Sequence, residues 1–201
     1  MYKLCLILLL SLAVTLYSQE DKATKLLKAV QDKYKTIKDL SADIKQTTAG
    51  RTSFSGKIYY KDENKFYLDL KNLNIVSNGT TVWNFNRKEN KVIINNFDES
   101  DPSALSLNEI INEYPKDSKI SYESSNGKDI LVVTPKPDSD LNFEQAKLWI
   151  NKDNLVEKIL IERAASGEIY IELSNYKLNQ DLPDTKFTFN PPEGSTVIDL
   201  R

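Results

Sequence analysis

Histidine is absent from the 201-residue sequence, and cysteine and methionine occur once each, as Cys5 and Met1. The usual general base, thiol nucleophile and soft metal ligands are therefore missing. No Gly-x-Ser-x-Gly arrangement supplies a serine nucleophile, and no glycine-rich phosphate-binding loop is present. The 29 acidic residues fall mostly in turns or on the polar phase of strands, where solvation explains them. Asp98-Glu-Ser-Asp101 and Asp138-Ser-Asp140 are rich in oxygen but lack the spacing and glycine of a calcium loop. The expectation is a protein with no catalytic residues, no metal and no cofactor. An excess of positive charge is missing too: the formal net charge is -2, which leaves no field to gather a phosphate backbone, and nucleic acid is not an expected partner.

Long apolar runs are likewise scarce, and the one that exists lies at the start. Lys3 supplies a positive beginning, Leu4 to Leu16 is apolar apart from Ser11 and Thr15, and Gln19, Glu20 and Asp21 end the run. A bilayer needs roughly 20 apolar residues, so this shorter run matches a secretory signal peptide, residues 1–18, cleaved after Ser18. Cys5 sits inside the run rather than at the cleavage junction, so it is not placed for lipidation. The mature chain, 19–201, has no cysteine and cannot form a disulfide, and export to a bacterial periplasm is the expected fate.

What is present is a globular composition, 40% hydrophobic and 28% charged. Ala23, Leu26, Leu27, Val30, Tyr34 and Ile37 fall on one helical stripe. From Leu40, Ala42 and Ile44 onward the period shifts to two. Short alternating runs then follow one another: Phe54–Lys61, Phe66–Leu70, Leu73–Ser77, Thr81–Phe85 and Lys91–Asn95, with Asn78-Gly79 as the sharpest turn signal. After the break at Asp98–Pro102, the spacing of Leu105, Leu107, Ile110, Ile111 and Tyr114 predicts a short second helix, with a capping box at Ser106 and Glu109 and an end at Pro115. Strands resume over Ile120–Glu123, Ile130–Thr134, Ala146–Asn151, Val156–Arg163 and Glu168–Leu178. The pattern predicts an α+β, mainly β domain, a single curved antiparallel sheet with helices against one face.

The sheet carries a surplus of aromatic side chains, Tyr59, Tyr60, Phe66, Tyr67, Trp83, Phe85, Phe97, Phe143 and Trp149. Periodicity alone reads these as core; a sheet with only two helices to cover it also leaves room for an apolar cavity able to hold acyl chains.

Three strings carry more. Gly56-Lys-Ile-Tyr-Tyr-Lys-Asp-Glu-Asn-Lys-Phe66, Ile75-Val-Ser-Asn-Gly-Thr-Thr-Val-Trp-Asn-Phe85 and Lys186-Phe-Thr-Phe-Asn-Pro-Pro-Glu-Gly194, in that order and spacing, resemble the LolA family of periplasmic outer-membrane lipoprotein carriers. The resemblance implies an unclosed half-barrel covered by helices. It implies a chaperone that takes the acyl chains of lipoproteins from an inner-membrane ABC-type lipoprotein-releasing transporter and delivers them to an outer-membrane acceptor. With it, the expected cavity lining is Ile58, Tyr60, Phe66, Leu68, Leu70, Trp83, Phe85, Ile94, Leu148 and Ile150 in a monomer. Phe66 matches an apolar position near the cavity mouth, tied in the family to loading. Asp62 and Glu63 stand where the family has an Arg-Pro pair that latches the lid, which leaves Lys61 or Lys65 as substitutes. Alternative readings are a related half-barrel that binds another amphiphile or senses mislocalised lipoproteins, and a secreted β-domain that binds a protein through an edge strand.

Overall fold

The computed structural model describes residues 20–48, 50–61, 64–97, 107–163 and 167–201. The expected signal peptide with Cys5, the Asp62-Glu63 pair, the break at 98–102, and Leu105 and Ser106 of the expected second helix lie outside these residues.

Twelve strands form the sheet: β1 (Asp39–Thr48), β2 (Arg51–Lys61), β3 (Lys65–Leu70), β4 (Leu73–Asn78), β5 (Thr81–Asn86), β6 (Lys91–Asn96), β7 (Ser118–Ser125), β8 (Lys128–Pro135), β9 (Gln145–Ile150), β10 (Val156–Arg163), β11 (Gly167–Leu178) and β12 (Thr196–Asp199). Their hydrogen-bonded order is β12-β6-β5-β4-β3-β2-β1-β11-β10-β9-β8-β7. The end strands β12 and β7 are not neighbours, so the sheet is unclosed, as expected. Every strand read from the sequence is present. One was not anticipated: β12 runs parallel to β6, from Thr196 beside Lys91 to Asp199 beside Ile94, so the sheet is not wholly antiparallel. Four exposed residues are too few to show an alternation.

The chain packs as two compact units, residues 20–34 with 107–169 and residues 35–97 with 170–201. In the first unit, helix α1 (20–35) buries Ala23 and Val30 and spans the unit. Near its start Lys22 Nζ lies 5.5 Å from the ring centre of Tyr122 in β7. Near its end the Tyr34 hydroxyl accepts from the Val156 amide of β10. Between them Gln31 Nε2 donates to the Ile111 carbonyl at 3.1 Å, tying α1 to the segment 107–117. The expected second helix is present there, but as a π-helical turn, Glu109–Glu113, that runs into a 3-10 turn, Tyr114–Asp117. Pro115 does not end it, because proline at the start of a 3-10 turn has no hydrogen bond to lose.

In the second unit the strand phases are set by hairpin chemistry. Gly79 alone has positive φ (93°) after β4, the pattern of a II′ turn, and the Asn78 side chain accepts from the Thr80 and Thr81 amides. A Cβ built on Gly56 in β2 would collide with the carbonyl oxygen of Asp69 in β3, so the close approach of these strands requires glycine there.

Candidate functional site

Strand register decides which side chains share a face. In the second unit Ala42 stands opposite Ile58, Ile58 opposite Leu68, Tyr60 opposite Phe66 and Gly56 opposite Leu70. Ile58, Tyr60, Phe66, Leu68 and Leu70 therefore line one face. On β4 that face continues through Ile75 and Ser77, and on β5 through Asn84 and Val82. The other phase carries Val76 opposite Trp83, Trp83 opposite Ile94 and Phe85 opposite Val92. Trp83, Phe85 and Ile94 thus lie on the opposite face from Phe66, and the expected residues do not form one wall. The reason is that β4 to β6 are apolar on both phases, Ile75 beside Val76 and Ile93 beside Ile94, so composition could not assign the face.

The face bearing Trp83 is covered by the C-terminal part of the unit. Phe85, Val92 and Ile94 form a core cluster against which Trp83 and Phe189 pack, with the Phe85 and Phe189 rings 5.4 Å apart. Phe187 is fully buried. Lys186 Nζ stands 3.7 Å from the ring centre of Tyr59, which itself stacks on Tyr67. The buried Asp39 carboxylate accepts from the amides of Gln180 and Leu182. Lys61 donates to the Leu182 carbonyl (2.8 Å) and to Asp184 (2.9 Å), and Lys65 reaches Asp184 at 3.4 Å. The hydrogen bond from Lys61 holds the Asp184 carboxyl below the usual carboxylate range, helped by the charges of both lysines. These contacts tie residues 179–189 down as a strap, and they are where Lys61 and Lys65, the expected latch substitutes, spend charge.

Leu148 and Ile150, the remaining expected residues, belong to the first unit. Leu131 stands opposite Leu148, Leu148 opposite Ile159, Val133 opposite Ala146 and Ala146 opposite Ile161, which makes an apolar floor across β8, β9 and β10. Ile110 and Tyr114 of the segment 107–117, with Phe143, sit over it; the Tyr114 and Phe143 rings are 5.4 Å apart. Together they enclose a cavity of about 10 Å³, room for about one water-sized sphere. Ligand pockets run to several hundred Å³, so this site is shut. Burial pushes the Tyr114 hydroxyl up from its ordinary pKa, the Glu109 charge adds to this and the Arg163 charge opposes it. Ile110, Tyr114, Val133, Ala146, Ile159 and Ile161 were not among the residues expected from the sequence to line a cavity. The spacing Ile159-x-Ile161-x-Arg163 carried the signal, but so did every other strand. Among the described residues no cluster of acidic, histidine or cysteine side chains is arranged to hold a metal ion, and no helix is long and apolar enough to cross a membrane.

The fold and sequence have known relatives. Over 183 residues the chain is 25% identical to an outer-membrane lipoprotein carrier protein of Xanthomonas oryzae pv. oryzae, covering 89% of this chain and 85% of that one. It is 27% identical over 196 residues to an uncharacterized protein of Methanocaldococcus jannaschii, covering 90% of this chain but spanning only 55% of that protein's length. A crystal structure of an uncharacterized conserved protein from Thermus thermophilus shares the fold, with a TM-score of 0.59 at 12% identity over 89% of this chain and 99% of that one. The family model for the outer membrane lipoprotein carrier protein LolA matches residues 35–190, and the chain belongs to the LolA family.

Proposed function

We propose that the chain is a periplasmic lipoprotein chaperone, made with a signal peptide over 1–18 and working as 19–201. It takes up acyl chains released from the inner membrane by an ABC-type transporter and passes them to an acceptor at the outer membrane. It acts as a monomer and without enzymatic chemistry or a cofactor. The observation that carries this reading is the all-aliphatic floor of β8 to β10, closed by a short cover that lacks a regular helix.

The energetics suit a carrier. Each buried methylene contributes about 0.8 kcal/mol, so roughly ten of them seated on the floor gain roughly 8 kcal/mol. To admit them the cover must expose Ile110, Ile111 and Tyr114, at about 1.5–3 kcal/mol for each large apolar side chain, or roughly 5–9 kcal/mol in all. The two nearly cancel. A chain held this way is shielded from water yet leaves without nucleotide hydrolysis, since a small difference in affinity moves such a two-state equilibrium. The five expected side chains Ile58, Tyr60, Phe66, Leu68 and Leu70 give the second unit an apolar face of its own.

The test is to add purified mature protein to spheroplasts of its native host and analyse the supernatant by size exclusion and mass spectrometry. Lipoproteins emerging in soluble complex with it are the expected result. No release, with the protein folded and the host transporter active, overturns the carrier and favours a role in binding another amphiphile or in sensing.

A further inference from the structure

Three buried side-chain polar atoms of the first unit have no hydrogen-bond partner among the described residues, Ser118 Oγ, Ser139 Oγ and Arg163 Nε. Ser118 and Arg163 belong to one place in the sheet. Ile161 stands opposite Ala146 and Ala146 opposite Val133, which stands opposite Ile120, so these four make one cross-strand row on the cavity face. Two residues farther along their strands, on the same face, are Arg163 on β10 and Ser118 on β7, the latter opposite Pro135. The apolar floor therefore ends in a row with a donor at each side, about 14 Å apart across three strand spacings. Tyr114, one of the cavity's own lining residues, follows the π-helical turn and precedes Ser118 by a single 3-10 turn. Ser118 is only 6% exposed, so its hydroxyl is not left to bulk water.

A buried donor without an acceptor costs stability, and a native fold that keeps one meets it with water, an ion or a ligand. We infer that Arg163, Ser118 and Tyr114 form a head-group station for the ligand, receiving the carbonyl or carboxylate oxygen at the end of an alkyl chain that lies on the apolar floor. The inference rests on the acyl-chain reading and deepens it: the pocket takes an amphiphile by its acyl head, not a bare hydrocarbon by its tail. Guanidinium and hydroxyl groups donate to such oxygens, and the tail then points toward Leu148 and Ile159. The same oxygen chemistry comes either from an esterified acyl chain or from a free fatty acid.

The experiment is fluorescence titration of the full mature protein with three probes: dansyl-undecanoic acid, its methyl ester, and diphenylhexatriene, which has no oxygen. Arg163→Gln lowers affinity for the acid or the ester by about tenfold or more, the range expected for a hydrogen bond from a charged group, and leaves diphenylhexatriene unchanged. Loss for both acid and ester assigns the station to esterified chains; loss for the acid alone assigns it to free acids. Ser118→Ala weakens the acyl probes by about twofold to tenfold while its melting temperature stays level or rises, because an unsatisfied group is removed; a merely structural serine would lower it. If Arg163→Gln and Ser118→Ala change none of the probes, or change all three alike, the station is refuted while the pocket stands. If the unmodified protein binds no probe, the acyl-chain reading of the pocket falls, and the station with it.

Discussion

The strap over residues 179–189 gives the sharpest quantitative test of how the second unit is held. Phe187 is fully buried and its turn, Asp184–Phe187, packs against β3 and β4, so Phe187→Ala removes a whole aromatic side chain from the core of the unit. The expected cost is about 3–5 kcal/mol. Against a typical total of about 5–15 kcal/mol, that is a large fraction. It corresponds to a fall in melting temperature of about 6–20 °C for a chain of this size. The assay uses the two tryptophans, one in each unit. In a Trp149→Phe background Trp83 is the only tryptophan, excited apart from the ten tyrosines at the red edge of the absorption band, and it packs on the cluster that the strap covers. Its urea midpoint should fall by about 2 M if the denaturant slope is near 2 kcal/mol per molar. A loss of less than about 1 kcal/mol would refute the reasoning and show that the strap rests on the sheet without supporting it.

Gly56→Ala drives a methyl into the Asp69 carbonyl and should cost about 1–3 kcal/mol, read as a lowered thermal midpoint; an unchanged midpoint means the strands separate freely there. Phe66→Leu, which roughly keeps the apolar volume, should hold stability within about 1.5 kcal/mol but lower lipoprotein capture from spheroplasts several-fold, and equal capture would make Phe66 plain core. Ile110→Ala enlarges the cavity from the cover side, so diphenylhexatriene should bind more tightly while stability falls by about 2–5 kcal/mol; weaker binding would show that the cover itself holds the ligand. Asp184 has a lowered folded pKa, so its contribution is complete above the ordinary carboxylate value of about 3.9 and is lost as pH falls through the folded value. Asp184→Asn should therefore melt lower than the unmodified protein at pH 6, with the difference shrinking as pH falls through the folded value, and a difference that persists once the carboxyl is protonated would point to a cause other than this carboxylate.

Strand positions were legible because each has a polar phase or a turn residue to mark it. At Asn126-Gly127, for example, both residues adopt positive φ, as a I′ hairpin turn demands. Face assignment was legible for β2 and β3, where Lys57, Lys61 and Asp69 mark the wet phase of Ile58 and Leu68. It failed from β4 to β6, where the strap buries a phase that would otherwise face water. Nothing local in Val76 or Phe85 announces a partner that lies a hundred residues away in the chain. The π-helical turn at 109–113 was illegible for another reason: Ile110, Ile111 and Tyr114 fit a helical stripe, and the extra residue per turn changes spacing by too little to read. The polar row of Ser118 and Arg163 escaped because a lone serine and an arginine at a strand end look like ordinary surface until register puts them on the cavity face.

Each unit is assembled from two stretches that alternate along the chain: 20–34 waits for 107–169, and 35–97 waits for 170–201. Asp39 finds its amide partners at Gln180 and Leu182 only after more than 140 further residues have been made. Synthesis adds about 5–20 residues each second, so for many seconds the growing polypeptide has strands but no finished unit. The strap with Phe187 and Phe189 follows the strands it covers by about a hundred residues, which makes burial of the Trp83 face a later step than formation of those strands. Such an order of assembly leaves the apolar phase of β4 to β6 uncovered until the strap arrives, which is the cost of the long-range contacts that join each unit.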